Sequence, residues 1–170
     1  EDATGRPFVG RAGALLDKAL REAGMARRHV YICNVLKCRA CLIENGRVRN
    51  RPPTQEEIQA CLPWLDAQLT LIRPLVIVCL GAPSASTIIH KNFKMTQERG
   101  QWFSSRWAPA VIAALHPAYI LRQAGEAYER AYQSLVSDLQ AARLKVIELR
   151  RKQEEQQPIQ PEGDEQLSLF

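Results

Sequence analysis

No run of 18 apolar residues occurs anywhere in the 170 residues, so no stretch reads as a membrane-spanning helix. The opening residues also lack the charged-then-apolar pattern of a secretory signal. There is no even set of cysteines. Five of them, without a signal, argue against a disulfide framework and for free or metal-bound thiols in a reducing, cytoplasmic compartment. No internal repeat occurs. From Gln153 onward there is no Lys or Arg, while Glu154, Glu155, Glu162, Asp164 and Glu165 are all acidic. The net charge of +5 therefore hides a body of +10 and a tail of −5. A basic body suits a polyanionic partner, nucleic acid first, although a merely soluble basic domain has the same composition.

What is present is a body long enough for one domain with its own core. Residues 1–13 form a glycine-spaced loop, with Arg6, Arg11 and a single aromatic, Phe8. A helix follows over about 12–23, with Leu16, Ala19 and Leu20 on one face and Gly24 as its stop. A glycine loop that feeds a helix N-terminus can hold a phosphate, and many such loops only turn the chain. Residues 30–36, VYICNVL, predict a strand. Asn34 interrupts it, either satisfied by neighbouring backbone or aimed at a ligand. Residues 37–53 are irregular, with Glu44-Asn45-Gly46-Arg47 as the tip of a turn or short hairpin.

Thr54 with Glu57 is a capping box, and the helix behind it carries Ile58, Leu62, Leu65 and Leu69 on one stripe. Pro63 falls early in that helix and Pro74 ends it. Residues 75–80, LVIVCL, predict a central parallel strand, followed by a helix from Gly81 to about His90. Residues 91–109 are polar and irregular, with a turn at 99–102. Residues 110–115 predict a buried strand that stops at His116-Pro117. His116 then stands where a strand leaves the sheet, which is where open α/β sheets place ligand-binding residues. It is also where a structural histidine with one internal hydrogen bond would stand. A long helix runs from Gly125 to about Lys152, and the Gln-, Glu- and Pro-rich residues 153–170 predict a disordered tail. Alternating strands and helices indicate an α/β sandwich with a parallel sheet.

Four stretches, GRPFVGRAG with LLDKAL (5–20), VYICNVLKC (30–38), EEIQACLPWL (56–65) and LHPAYILR (115–122), together resemble the bacterial and archaeal uracil-DNA glycosylases of family four. The resemblance runs in order from Glu1 to about Val146. It implies a three-layer α/β/α sandwich with a short parallel sheet in the order 2-1-3-4. The family's first strand and its Gly-Glu-x-Pro-Gly type motif are missing upstream of Glu1. The domain at 1–152 is thus expected to be incomplete at its N-terminus. The implied reaction is hydrolysis of the N-glycosidic bond of deoxyuridine in DNA, which releases uracil and leaves an abasic site. Phe8 matches the position that stacks on the flipped uracil, and Asn34 the position that reads its edge. His116 matches the position that hydrogen-bonds uracil O2, and Glu1 a carboxylate near the sugar.

The family carries a 4Fe-4S cluster on four cysteines. Cys38 and Cys61 match two of them, and the other two are expected upstream of this chain. Cys33 and Cys79 lie in apolar stretches and read as core. Cys41 with Cys38 and Cys61 admits a zinc-binding alternative. The segment ACLIENGRV lengthens the loop between the matched cysteines, with Arg47, Arg49 and Arg51 as DNA contacts or a solvated insertion. Arg6 and Arg11 in the first loop are further DNA-contact candidates. Arg122 suits the DNA backbone, and Ile120 or Leu121 a wedge into the vacated stack. The ending Gln166-Leu167-Ser168-Leu169-Phe170 resembles the peptide that docks bacterial repair proteins on the sliding clamp, with Gln166, Leu169 and Phe170 as anchors. The expected protein is a monomeric repair glycosylase without membrane attachment. A non-catalytic DNA-binding or clamp-associated module of the same fold is the alternative.

Overall fold

A computed structural model describes residues 4–44 and 46–156. Helix α1 (Arg11–Glu22) forms on the stripe of Leu15, Leu16, Ala19 and Leu20. It ends where Gly24 (φ +76°) lets Met25 N–H donate back to the Leu20 carbonyl at 2.8 Å. A single 3-10 turn, Arg27–His29, follows. Strands β1 (Cys41–Glu44) and β2 (Arg47–Asn50) then pair antiparallel, the short hairpin that the sequence predicts.

Helix α2 (Gln55–Ile72) starts on the expected box. Thr54 Oγ1 accepts from Glu57 N–H at 3.3 Å, and Glu57 Oε2 accepts from Thr54 N–H at 2.9 Å. After it come β3 (Val76–Leu80), α3 (Ala82–Ile88), α4 (Met95–Glu98), β4 (Trp102–Phe103), β5 (Ala110–Ala114), α5 (Pro117–Ile120) and α6 (Gly125–Gln156). The sheet order is β3-β5-β4, with β3 parallel and β4 antiparallel to β5.

Period-two alternation splits the core in two. Val78, Leu80 and Ala114 face α1 and α6, among Leu16, Leu20, Leu135 and Leu139. Ile77, Cys79, Val111 and Ala113 face α2 and α3, among Leu65, Leu69 and Ile88. Helices thus cover both faces of a small sheet, which is the expected α/β/α arrangement.

Several expectations are corrected. Residues 30–36 form no strand, and they belong to neither of the two sheets among the described residues. Their side chains still alternate, with Ile32 in the first core and Cys33 and Val35 in the second. Among the described strands β3 is an edge, and the fully buried β5 is the central one. The sheet is mixed rather than wholly parallel, because β4, inside a segment expected to be irregular, adds an antiparallel edge. Helix α6 runs past Lys152 to Gln156. Its last turns consist of good helix formers and carry the Lys152–Glu148 and Arg151–Glu155 pairs, at 2.6 and 3.1 Å. Among the described residues, no helix is long and apolar enough to cross a membrane.

Candidate active site

The site forms where β3 and β5 end. Gly81 follows β3 and donates its N–H to the Ala114 carbonyl at 2.9 Å. Its φ of +85° suits glycine, and a Cβ there would meet His116 Cβ at 3.1 Å. His116 follows β5 and caps α5. Its Nδ1 accepts the Ala118 N–H at 3.0 Å. An accepting Nδ1 carries no proton, so the neutral ring is protonated at Nε2 and presents an N–H donor on its far side.

Phe8 lies against that histidine, with ring centroids 5.6 Å apart and planes tilted by 32°. Carbon surfaces in contact need about 3.5 Å each, so a base between two rings needs about 7 Å. A base therefore cannot be sandwiched between Phe8 and His116.

Phe8 is 9% exposed and holds a left-handed backbone, φ +55°. Arg27, absent from the sequence reading, and Gly13, one of the loop glycines, hold it there. Arg27 Nη1 donates to the Phe8 carbonyl and to Asp17 Oδ1, each at 3.1 Å, and Nη2 donates to the Pro7 carbonyl. Gly13 lets the same carbonyl approach, since a Cβ there would stand 1.8 Å from Phe8 O. The regular glycine spacing hinted at Gly13. Nothing local pointed to Arg27, which reaches back 19 residues to Phe8.

Asn34 is half-buried on the extended segment before Lys37. Lys37 Nζ donates to the Asn34 carbonyl at 2.7 Å and to Gln68 Oε1 at 2.6 Å, tying that segment to α2. Asn34 has the same parity as Ile32, so alternation puts it on the side of the sheet that carries Phe8. Arg6, Arg11 and Arg122 are all exposed. Ile120 is fully buried in the core, so it cannot serve as the wedge. Leu121 is half-buried beside the same core. Glu1, Gln166, Leu169 and Phe170 lie outside the described residues. Surface hollows of about 480 and 330 Å³ border Asp66 to Arg73 and Trp107 with Gln153, and none of the expected site residues lines them.

Lys37 N–H donates to Cys61 Sγ at 3.3 Å, which brings that thiol beside the residue next to Cys38. Cys38 is exposed and Cys61 half-buried. Hydrogen bonds from backbone N–H to sulfur are part of how proteins hold and tune iron–sulfur clusters, and Cys61 receives one. Among the described residues, no three His, Cys, Asp or Glu side chains gather as a metal-ligand set. Cys33 and Cys79 are core, as expected. Burial raises both thiols, Cys79 to about 12, with Lys37 partly opposing the rise at Cys33.

A family model described as the uracil DNA glycosylase superfamily matches residues 1–140. The type-4 uracil-DNA glycosylase of Thermotoga maritima is 48% identical over 123 residues, covering 72% of this chain and 60% of that protein. The type-4 enzyme of Archaeoglobus fulgidus is 40% identical over 144 residues, 79% of this chain and 69% of that protein. That of Pyrobaculum aerophilum is 38% identical over 130 residues, 72% and 63%. The chain thus spans 60–69% of the length of these three relatives. A match that runs through the first loop, the two helices and the strand end bearing His116 covers the whole geometry above, and the chain belongs to the uracil-DNA glycosylase superfamily, in its type-4 group.

Proposed function

We propose that this chain hydrolyses the N-glycosidic bond of deoxyuridine in DNA, releasing uracil and leaving an abasic site. The observation that carries the reading is the pairing of Phe8 with a histidine whose Nδ1 already accepts a backbone N–H. A base must leave the helical stack to be reached, and it then needs a stacking surface and partners for its edge. Phe8 supplies the surface. The Asn34 amide offers a donor to uracil O4 and an acceptor to N3–H, a pattern that cytosine does not match. As the bond breaks, negative charge builds on the departing base. The His116 Nε2–H, fixed in place before the reaction, stabilises that charge at O2 without needing a second proton. Glu1 stands in sequence where a carboxylate would help position water or stabilise the sugar cation.

Arg6, Arg11 and Arg122 would contact the DNA backbone, with Leu121 as the remaining wedge candidate. Cys38 and Cys61 would hold two corners of a 4Fe-4S cluster, whose role there is to cross-link the loop after Asn34 to the start of α2. Gln166, Leu169 and Phe170 would dock the protein on a bacterial sliding clamp.

The test is uracil release from a single-uracil DNA oligomer. Loss of one preorganised donor costs about 10²–10³ in rate, so His116→Ala should fall by that order, and Asn34→Ala should fall strongly too. DNA binding by the parent chain with no uracil release would favour the non-catalytic module instead. Unchanged rates in both variants would show that the site is elsewhere.

A further inference from the structure

We infer that the β1–β2 hairpin is a DNA-gripping ribbon, with Arg47 and Arg49 set on one face to contact phosphates. The inference rests on the proposed DNA substrate and adds a contact surface to it.

The hairpin stands apart from both cores, and all four residues of β2 are exposed. A two-stranded ribbon is marginal in water unless something holds it. Here the holding is at its base. Arg51 makes a two-pronged pair with Glu57 at 2.6 and 2.7 Å, and its N–H donates to the Ala40 carbonyl at 3.2 Å. Arg39 Nε donates to Asn50 Oδ1 at 2.6 Å. Glu57 is the same residue that closes the α2 capping box, so the ribbon is braced directly on the helix start. These contacts engage the Arg51 guanidinium at the base of the ribbon, so Arg47 and Arg49 are the arginines its exposed strand presents.

Register sorts what remains. Leu42 opposes Arg49 and Glu44 opposes Arg47, so these four share one face. Ile43 and Val48, 75% and 48% exposed, form the cross-strand pair on the other. Arg47 and Arg49 are two residues apart on one strand, about 6.8 Å, a spacing suited to successive phosphates. Among the described residues neither has an ion-pair partner.

Topology gives the ribbon its place. α2 packs on the sheet through Leu65 and Leu69 and enters β3 through only residues 73–75, so it runs back antiparallel to that strand. Its N-terminus, and the hairpin before it, therefore lie at the carboxyl end of β3 and β5. His116 and Gly81 stand at that same end. A strand of DNA whose base reached Phe8 would pass near the ribbon, and the charge of the ribbon is the complement of its backbone.

The experiment measures the affinity of the full chain for a duplex oligomer carrying an abasic site across a salt series, with uracil release measured in parallel. Two phosphate contacts account for about 1.8 of the slope of log affinity against log salt. Arg47→Gln with Arg49→Gln should make the slope shallower by about that amount and raise KM for uracil release. Arg47→Lys with Arg49→Lys keeps both charges and should restore the slope. Glu44→Gln, which removes the carboxylate opposite Arg47, should tighten binding. Equal slopes in the parent and the double Gln variant would overturn the ribbon. So would a loss of slope that the double Lys variant failed to restore, since that would mark a folding defect. Altered binding with Ile43→Ser and Val48→Ser, together with an unchanged slope in the Gln variant, would make the ribbon a protein-docking element instead. A shallower slope in the Gln variant of a chain that releases no uracil would overturn the glycosylase reading and leave the ribbon standing.

Discussion

Phe8 keeps a backbone conformation that costs a residue with a Cβ about 1–2 kcal/mol, so something must hold it. The Arg27 fork does so with three hydrogen bonds, two of them to backbone carbonyls at the Phe8 turn. Arg27 is thus a positioning residue: it touches no base, and it sets the angle of the ring that would. Arg27→Met keeps the aliphatic stem and removes the fork. Base stacking on an aromatic is worth about 1–3 kcal/mol, so losing about half of it should lower kcat/KM for uracil release by about threefold to tenfold. Steady-state kinetics check this, and Arg27→Lys should recover only part, since one ammonium cannot reach all three acceptors.

A second residue-scale prediction concerns His90. Its Nδ1 faces the Lys91 carbonyl at 3.0 Å and its Nε2 faces Glu98 Oε1 at 2.7 Å. Two acceptors ask for two protons, so the Lys91 carbonyl first and the Glu98 carboxylate second raise the His90 pKa. A raised histidine adds stability that is fully present below its unfolded value near 6.5 and fades as pH rises through the folded value. His90→Ala should therefore lower Tm at pH 5.5 and leave it nearly unchanged at pH 9, as thermal melts at the two pH values would show.

At the scale of elements, what could be read in advance divides by the range of the interaction. The Thr54–Glu57 box, the hairpin of β1 and β2 and the stripe of α1 follow from residues a few positions apart, and all three stand in the structure. The segment 30–36 has strand composition and strand alternation, yet a strand also needs a neighbour, which composition does not specify. β4 failed in the other direction. It is two residues long, too short to carry a pattern, and it exists because Trp102 and Phe103 lie alongside Ile112 and Val111. In the site, the sequence pointed to His116 by its place at a strand end and to Phe8 through resemblance, while the roles of Arg27 and Gly81 became visible only through contacts across the fold. The α6 stripe can be tested directly. Leu135 is fully buried at the centre of the first core, so Leu135→Ala should cost about 2–5 kcal/mol. The denaturant midpoint should fall with no change in slope, because the surface exposed on unfolding is nearly the same.

At the scale of the whole molecule, the sheet divides two cores, and its strands differ in what protects them. β5 is buried along its whole length and lies between β3 and β4. It can lose its hydrogen bonds only if both cores open. The extended segment at 31–36 borders both cores, through Ile32 on one side and Cys33 and Val35 on the other, with no ladder of its own among the described residues. Lys37 ties its end to Gln68 and Cys61. Native-state hydrogen exchange should therefore show two regimes. The β5 amides at 111–114 should exchange only through global unfolding, with a free energy that tracks denaturant. The amides at 31–36 should exchange through local opening, orders of magnitude faster and nearly independent of denaturant. Adding DNA with a single abasic site should slow the second group and leave the first unchanged, since the proposed contacts involve Asn34 and the Cys38 loop and not the sheet interior. Exchange at 31–36 as slow as at 111–114 in the free protein would mean that this segment is paired after all. Its Asn34 would then sit on a rigid strand rather than on a segment that tightens around a base.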